Sequence, residues 1–269
     1  NLRYAARTVR FLAQWNPEAF VSLQRRTGLT LPELDEWDAA ADAMYIPYDT
    51  EREIHPQDEA FLDLEPWDWD GTPADDYPLL LHFHPLVIYR HQVLKQADVV
   101  LAMYLRSQHF TPEQKRRNFD FYDPITTGDS SLSACVQSII AAEVGRDQLA
   151  IDYFHRSLYL DVCDTHQNTA DGVHIANCGG VWAGVVHGFA GMVETGELLS
   201  FAPRLPSNWS SARFRIHRHG STMEVELTPE GCTLRHVDGV GVPVRDGETR
   251  VVVHAGVVHR IPRFTAPDL

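Results

Sequence analysis

The stretch "YDPITTGDSSLSACVQSIIAAEVG", residues 122–145, places Thr126, Thr127, Gly128, Asp129, Ser130, Ser131 and Ser133 at the entrance of an apolar helix carrying Cys135, Val136, Ile139 and Ile140. A helix N-terminus presents free N–H groups and the positive end of the peptide dipoles. Small hydroxyl side chains add donors there without blocking access. The combination describes an anion site, suited to phosphate or sulfate. The competing reading is that Asp129 or Ser130 is an ordinary N-cap. That accounts for one of these residues and leaves the other small and hydroxylated ones unexplained.

Two further stretches carry groups that could work beside an anion. In "QVLKQADVV", residues 92–100, Lys95 and Gln96 interrupt an apolar helix entry. Such a pair can grip sugar hydroxyls, which are both donors and acceptors; alternatively Lys95 snorkels to solvent beside an exposed glutamine. In "DGVHIANCGGVWAGVVHGFAGM", residues 171–192, His174 precedes a helix of very little bulk. His174 reads either as a hydrogen-bonded structural residue or as an anion or sugar contact. The glycines there allow close helix approach and do not form a phosphate-binding P-loop, because no GxxxxGK[ST] pattern is present. In "EPWDWD", Trp67 or Trp69 could stack a sugar ring, or both could dock on the body of the protein. No Ser/His/Asp order or HExxH pattern compels a hydrolase.

The chain of 269 residues is 44% hydrophobic and 22% charged, with a formal net charge of −14. That field disfavours nucleic acid and anionic membranes as general partners. No apolar run approaches the roughly 20 residues a membrane span needs. The four cysteines form no CxxC and read as reduced packing residues of a cytoplasmic protein, without zinc-ligand spacing. The first residues are neither a signal peptide nor a start Met. They read as the middle of an amphipathic helix, so the chain is expected to be part of something longer.

These groups need elements to hold them. Helical spacing runs over residues 1–27 with a break at Asn16-Pro17. A second helix is expected from a Thr30/Glu33 capping box to about Met44. Residues 46–79, with five prolines, read as irregular. Helices are expected at 92–107, 112–119, 130–144, 147–160 and 179–195. From about Phe201 apolar and polar residues alternate, which predicts short antiparallel strands in a small sandwich. The division is a helical part over 1–200 and a β part over 201–269.

Together, "HQVLKQADVVLAM", "FYDPITTGDSSLSACVQSIIAAEVG", "DGVHIANCGGVWAGVVHGFAGM" and "LSFAPRLPSNW" resemble glycoside hydrolase family 65, in the family's order and over about residues 1–210. The resemblance implies the second half of an (α/α)6 barrel followed by a C-terminal β-sandwich domain. It implies phosphorolysis of an α-glucosidic bond in a maltose-, kojibiose- or trehalose-type disaccharide, with inversion, giving β-glucose 1-phosphate. Lys95 and Gln96 become glucose-binding residues; Thr126, Thr127, Gly128, Ser130 and Ser131 become the phosphate loop, with His174 on the phosphate side. Phosphate is a co-substrate, and no metal or organic cofactor is implied. The family's general-acid glutamate and a Trp-Asp sugar-binding pair lie upstream of anything in this sequence. The chain alone is therefore expected to be inactive, with the missing N-terminal part of the same enzyme as partner; family members are often homodimers. Gly128 stands where many phosphorylases have His. The alternatives are a family hydrolase, such as a trehalase or kojibiose hydrolase, and a non-catalytic carbohydrate-binding module.

Overall fold

The structure, a computed structural model, describes residues 1–165, 167–196 and 198–265. Residues 166 and 197, in the expected helical part, and 266–269, in the expected β part, lie outside the described residues. The chain forms two compact units, Asn1–Pro47 and Tyr48–Leu269.

The first unit holds α1 (Leu2–Trp15), α2 (Pro17–Thr27) and α3 (Leu31–Asp42). Asn16 ends α1 and caps α2, its side chain accepting from the Ala19 N–H at 3.0 Å. Pro17 fits the first turn because its missing N–H is one no helix bond needs. Gly28, at φ 74°, closes α2 in the left-handed region. The Thr30/Glu33 capping box is present. Ala6, Leu29 and Leu34 form the unit's core, with Val9, Leu23 and Trp37 packed against it.

The second unit opens with the irregular segment, then the one-turn helices α4 (Leu79–His82) and α5 (Pro85–Ile88). α6 (Asp98–Leu105) begins later than its periodicity predicts. Residues 92–97 form an irregular segment pinned by one bridge at Leu94: Leu94 N–H donates to Ile125 O at 2.9 Å, and Thr127 N–H donates to Leu94 O at 2.8 Å. Val93, Leu94 and Ala97 are buried all the same, so the apolar spacing reports burial and not helix.

α7 (Pro112–Tyr122), α8 (Ser133–Glu143) and α9 (Asp147–Leu158) follow. Every residue of α8 from Ser133 to Ala142 is buried, making it the central helix of this unit. α10 (Ile175–Ala183) starts earlier than expected and continues as one π-helical turn, Gly184–Phe189. Its glycines do what small residues on a helix allow. A β-carbon at Gly180 would fall 2.6 Å from Cys135 Sγ, and one at Gly188 would fall 3.4 Å from Ile139 Cα. α10 otherwise buries only Asn177 and exposes Ile175 and Trp182.

The expected helix does not reach residue 195. β1 (Val193–Thr195) and β2 (Leu198–Ser200) join β6 (Val242–Asp246) and β7 (Thr249–Val253) in one sheet. β3 (Ala212–Arg218), β4 (Ser221–Thr228), β5 (Gly231–Asp238) and β8 (Val258–Pro262) form the other, in that order and antiparallel. Met223, Val225 and Leu227 point inward from alternate positions of β4, the period a strand requires. Phe154 of α9, Phe189 and Trp209 meet at ring distances of 5.2–5.3 Å, joining helices and strands in one core. Of the cysteines, Cys135 and Cys232 are buried, but Cys163 and Cys178 are exposed and do no packing. Among the described residues no helix is long and apolar enough to cross a membrane.

Candidate functional site

The bridge between Leu94 and Thr126 sets two polar stretches side by side. Immediately beyond it, Gln96 Nε2 donates to Ser130 Oγ at 3.1 Å, and Ser133 Oγ donates to Lys95 O at 3.4 Å. The Lys-Gln pair and the hydroxyl-rich turn, 34 residues apart in sequence, thus form one edge. Between them lies a cavity of about 460 Å³. Its polar wall is Lys95, Asp129, Ser130, Ser131, Asn168 and His174; Pro78, Leu80 and Leu81 form an apolar side.

The N-cap reading fails. α8 begins only at Ser133, and no side chain caps it. Ser130 serves the turn instead, its Oγ accepting from Leu132 N–H at 3.3 Å and its carbonyl from Ser133 N–H at 3.1 Å. Asp129 faces the cavity, and its buried Oδ2 has no hydrogen-bond partner among the described residues.

Four of the sequence-derived residues do not line the cavity: Gln96, which bonds Ser130 at its edge, and Thr126, Thr127 and Gly128 of the turn. Thr126 Oγ1 donates to Tyr122 O at 2.8 Å, Thr127 Oγ1 accepts from Asp129 N–H at 3.4 Å, and Gly128 O accepts from Arg156 Nη2 at 3.4 Å. They shape the turn. Below it, Asp123 Oδ1 accepts from Tyr153 Oη at 2.8 Å and Gln137 Nε2 at 2.9 Å. Burial raises the Asp123 carboxyl above the usual carboxylate range, partly offset by those two hydrogen bonds.

The loop between α9 and α10 supplies the opposite wall. Asp164 Oδ1 accepts from Thr169 N–H at 3.1 Å, a bond that lowers the Asp164 carboxyl and ties the loop. His174 Nδ1 lies 2.5 Å from Asp161 Oδ1, and its backbone N–H donates to Asp161 Oδ2 at 3.0 Å. Asn168 and Asp161 escape a sequence reading because they sit in a polar loop with no periodicity. Trp67, by contrast, is no sugar platform. It is 9% exposed in a small core with Leu79, Ile88 and Val93, its Nε1–H donated to Thr72 Oγ1 at 2.8 Å, and Trp69 packs against that core.

Residues 1–183 match the profile of the glycosyl hydrolase family 65 central catalytic domain, and residues 192–253 that of the family's C-terminal domain. The chain belongs to glycoside hydrolase family 65. The helices are those of the family 65 catalytic barrel and the strands those of its C-terminal sandwich. The chain is 44% identical over 245 residues to an alpha,alpha-trehalose phosphorylase from Geobacillus stearothermophilus, covering 91% of this chain and 32% of that protein. It is 34% identical over 244 residues to a maltose phosphorylase from Bacillus subtilis, covering 90% of this chain and 32% of that protein. A solved structure from the human microbiome, provisionally named a kojibiose phosphorylase, superimposes with a TM-score of 0.83 at 25% identity, covering 96% of this chain and 36% of that one. The chain thus spans about a third of the length of these relatives.

Proposed function

We propose that this chain supplies the phosphate- and glucose-binding side of an inverting α-glucoside phosphorylase acting on a trehalose-, maltose- or kojibiose-type disaccharide. The observation that carries the reading is the cavity in which Lys95, Ser130 and Ser131 stand beside the uncapped start of α8. The names of the relatives support it. Lys95 and Gln96 hold glucose hydroxyls. Ser130, Ser131 and His174 hold phosphate, and Thr126, Thr127 and Gly128 hold the turn that presents them. The apolar side offered by Leu80 and Leu81 suits the C–H face of a sugar ring.

The chemistry follows from that placement. A phosphate oxygen attacks the anomeric carbon from the face opposite the glycosidic oxygen. The C–O bond breaks, and the leaving oxygen takes a proton from a general acid. The family resemblance assigns that acid to a glutamate outside this sequence, in the N-terminal part of the same enzyme. Hydrogen-bond donors fixed before the reaction stabilise the anion without reorganising. Phosphate replaces the base and water that an inverting hydrolase requires.

One observation favours a second reading. Among the described residues Asp129 is the only carboxylate lining this cavity, and its buried Oδ2 has no partner there. It could serve as the base of a family hydrolase. Product formation by the intact enzyme with and without phosphate separates the two. Release of glucose without phosphate, abolished by Asp129→Asn, would favour the hydrolase.

A further inference from the structure

The phosphate reading leaves unexplained how His174 is aimed. One carboxylate grips it twice: Asp161 Oδ1 at 2.5 Å from the ring Nδ1, and Asp161 Oδ2 at 3.0 Å from the backbone N–H of the same residue. An ionised carboxylate only accepts, so Nδ1 carries a hydrogen. Ring and main chain are then clamped by a single group, and rotation of the ring would break the shorter bond. The remaining polar atom is Nε2. It lies 3.4 Å from Asn168 Nδ2, and both residues line the cavity with Lys95, Ser130 and Ser131. The side chains of His174 and Asp161 are only 22% and 18% exposed, so water screens this pair less than it screens a surface pair.

A purely structural role for Asp161 would be to tie down the loop. That loop already has its own tie, from Asp164 to Thr169. The Nδ1 bond does something else, because it decides which edge of the imidazole faces the cavity. His is oriented in this way wherever one ring nitrogen must meet a partner and the other is held by a carboxylate.

We propose that Asp161 is a positioning residue of the phosphate site, fixing His174 so that Nε2 meets the bound anion. The inference rests on the phosphorylase reading and adds to it a residue that does not touch substrate. The hydrogen bond between ring and hydrogen phosphate runs through Nε2, and Asp161 sets its direction.

The test uses the intact enzyme, with phosphate and disaccharide varied independently. Asp161→Asn keeps the shape and an acceptor for the backbone N–H but loses the charge. It should raise KM for phosphate by about tenfold, the lower end for a charge-assisted hydrogen bond. KM for the disaccharide, and kcat at saturating phosphate, should stay within about twofold. In a His174→Ala background the same change should move KM for phosphate less than about twofold, because residues acting as one unit are not additive. Asp161→Glu, which keeps the charge but displaces it, carries the same selective expectation should the Asn variant fail to fold. An unchanged KM for phosphate, or an undiminished effect in the His174→Ala background, overturns the proposal alone. Turnover by the unmodified enzyme without phosphate overturns the phosphorylase reading and this inference with it.

Discussion

Gly128 lies directly against the guanidinium of Arg156: a β-carbon at position 128 would fall 3.0 Å from Nη2, 3.1 Å from Nη1 and 3.2 Å from Cζ. The glycine also sits at φ 71°, where L-residues are strained. Both facts make the glycine a packing requirement of the turn. Gly128→Ala should destabilise the protein by about 1–2 kcal/mol, the left-handed penalty plus displacement of Arg156. Adding Arg156→Ala should recover the displacement part and leave the backbone part. Denaturant unfolding of the two variants checks this.

Lys95 is exposed, and its side chain makes no hydrogen bond or ion pair among the described residues. Lys95→Ala should therefore change stability by less than about 0.5 kcal/mol, as surface substitutions do. It should lower kcat/KM for phosphorolysis about 10- to 100-fold, the range for losing hydrogen bonds from a charged group. Thermal unfolding and steady-state rates on the same preparation separate a binding role from a snorkelling one.

Gly180 of α10 packs against Cys135 of α8. Gly180→Ala should destabilise by about 1–3 kcal/mol through overpacking. The added methyl would fall 2.6 Å from Cys135 Sγ and 2.7 Å from its Cβ, so Cys135→Ala should recover the sulfur's part of the loss and leave the β-carbon's. A double-variant cycle by denaturant unfolding gives the coupling; additive losses would contradict the contact.

The Asp123 carboxyl is raised by burial, and this fixes the sign of a pH dependence. The native state holds that proton more tightly than the unfolded chain, so this group's contribution falls as pH rises through the window from its ordinary value, 3.8, to its raised one. Both hydrogen bonds from Tyr153 and Gln137 end on Oδ1, which asparagine retains. Asp123→Asn should thus be neutral to stabilising by up to about 1 kcal/mol at pH 7, with the gain shrinking towards pH 4. Unfolding at a series of pH values reads this directly.

The site was legible in the sequence where residue type alone carries the chemistry. A turn of Thr, Gly, Asp and Ser before an apolar helix reads as polar and small in any fold, and Lys95 and Gln96 stand out in an apolar run. What joins them was hidden. Residues 92–97 carry helical apolar spacing because Val93, Leu94 and Ala97 are buried, yet the segment is irregular and bridged at Leu94 to Thr126, a long-range hydrogen-bond pattern that no local period encodes. The opposite wall was illegible for another reason. Asp161 and Asn168 lie in a polar loop, where aspartate and asparagine are common whatever they touch. The β-sandwich was readable from the alternation along β4. The short β1 and β2, of three residues each, lacked the length to show a period.

The most direct measurement is product analysis of the intact enzyme with an α-linked glucose disaccharide, followed by phosphorus and proton NMR, in the presence and absence of inorganic phosphate. The account predicts β-glucose 1-phosphate and a free sugar in equal amounts with phosphate, and no cleavage without it. Release of two free sugars at an undiminished rate in phosphate-free buffer would contradict it.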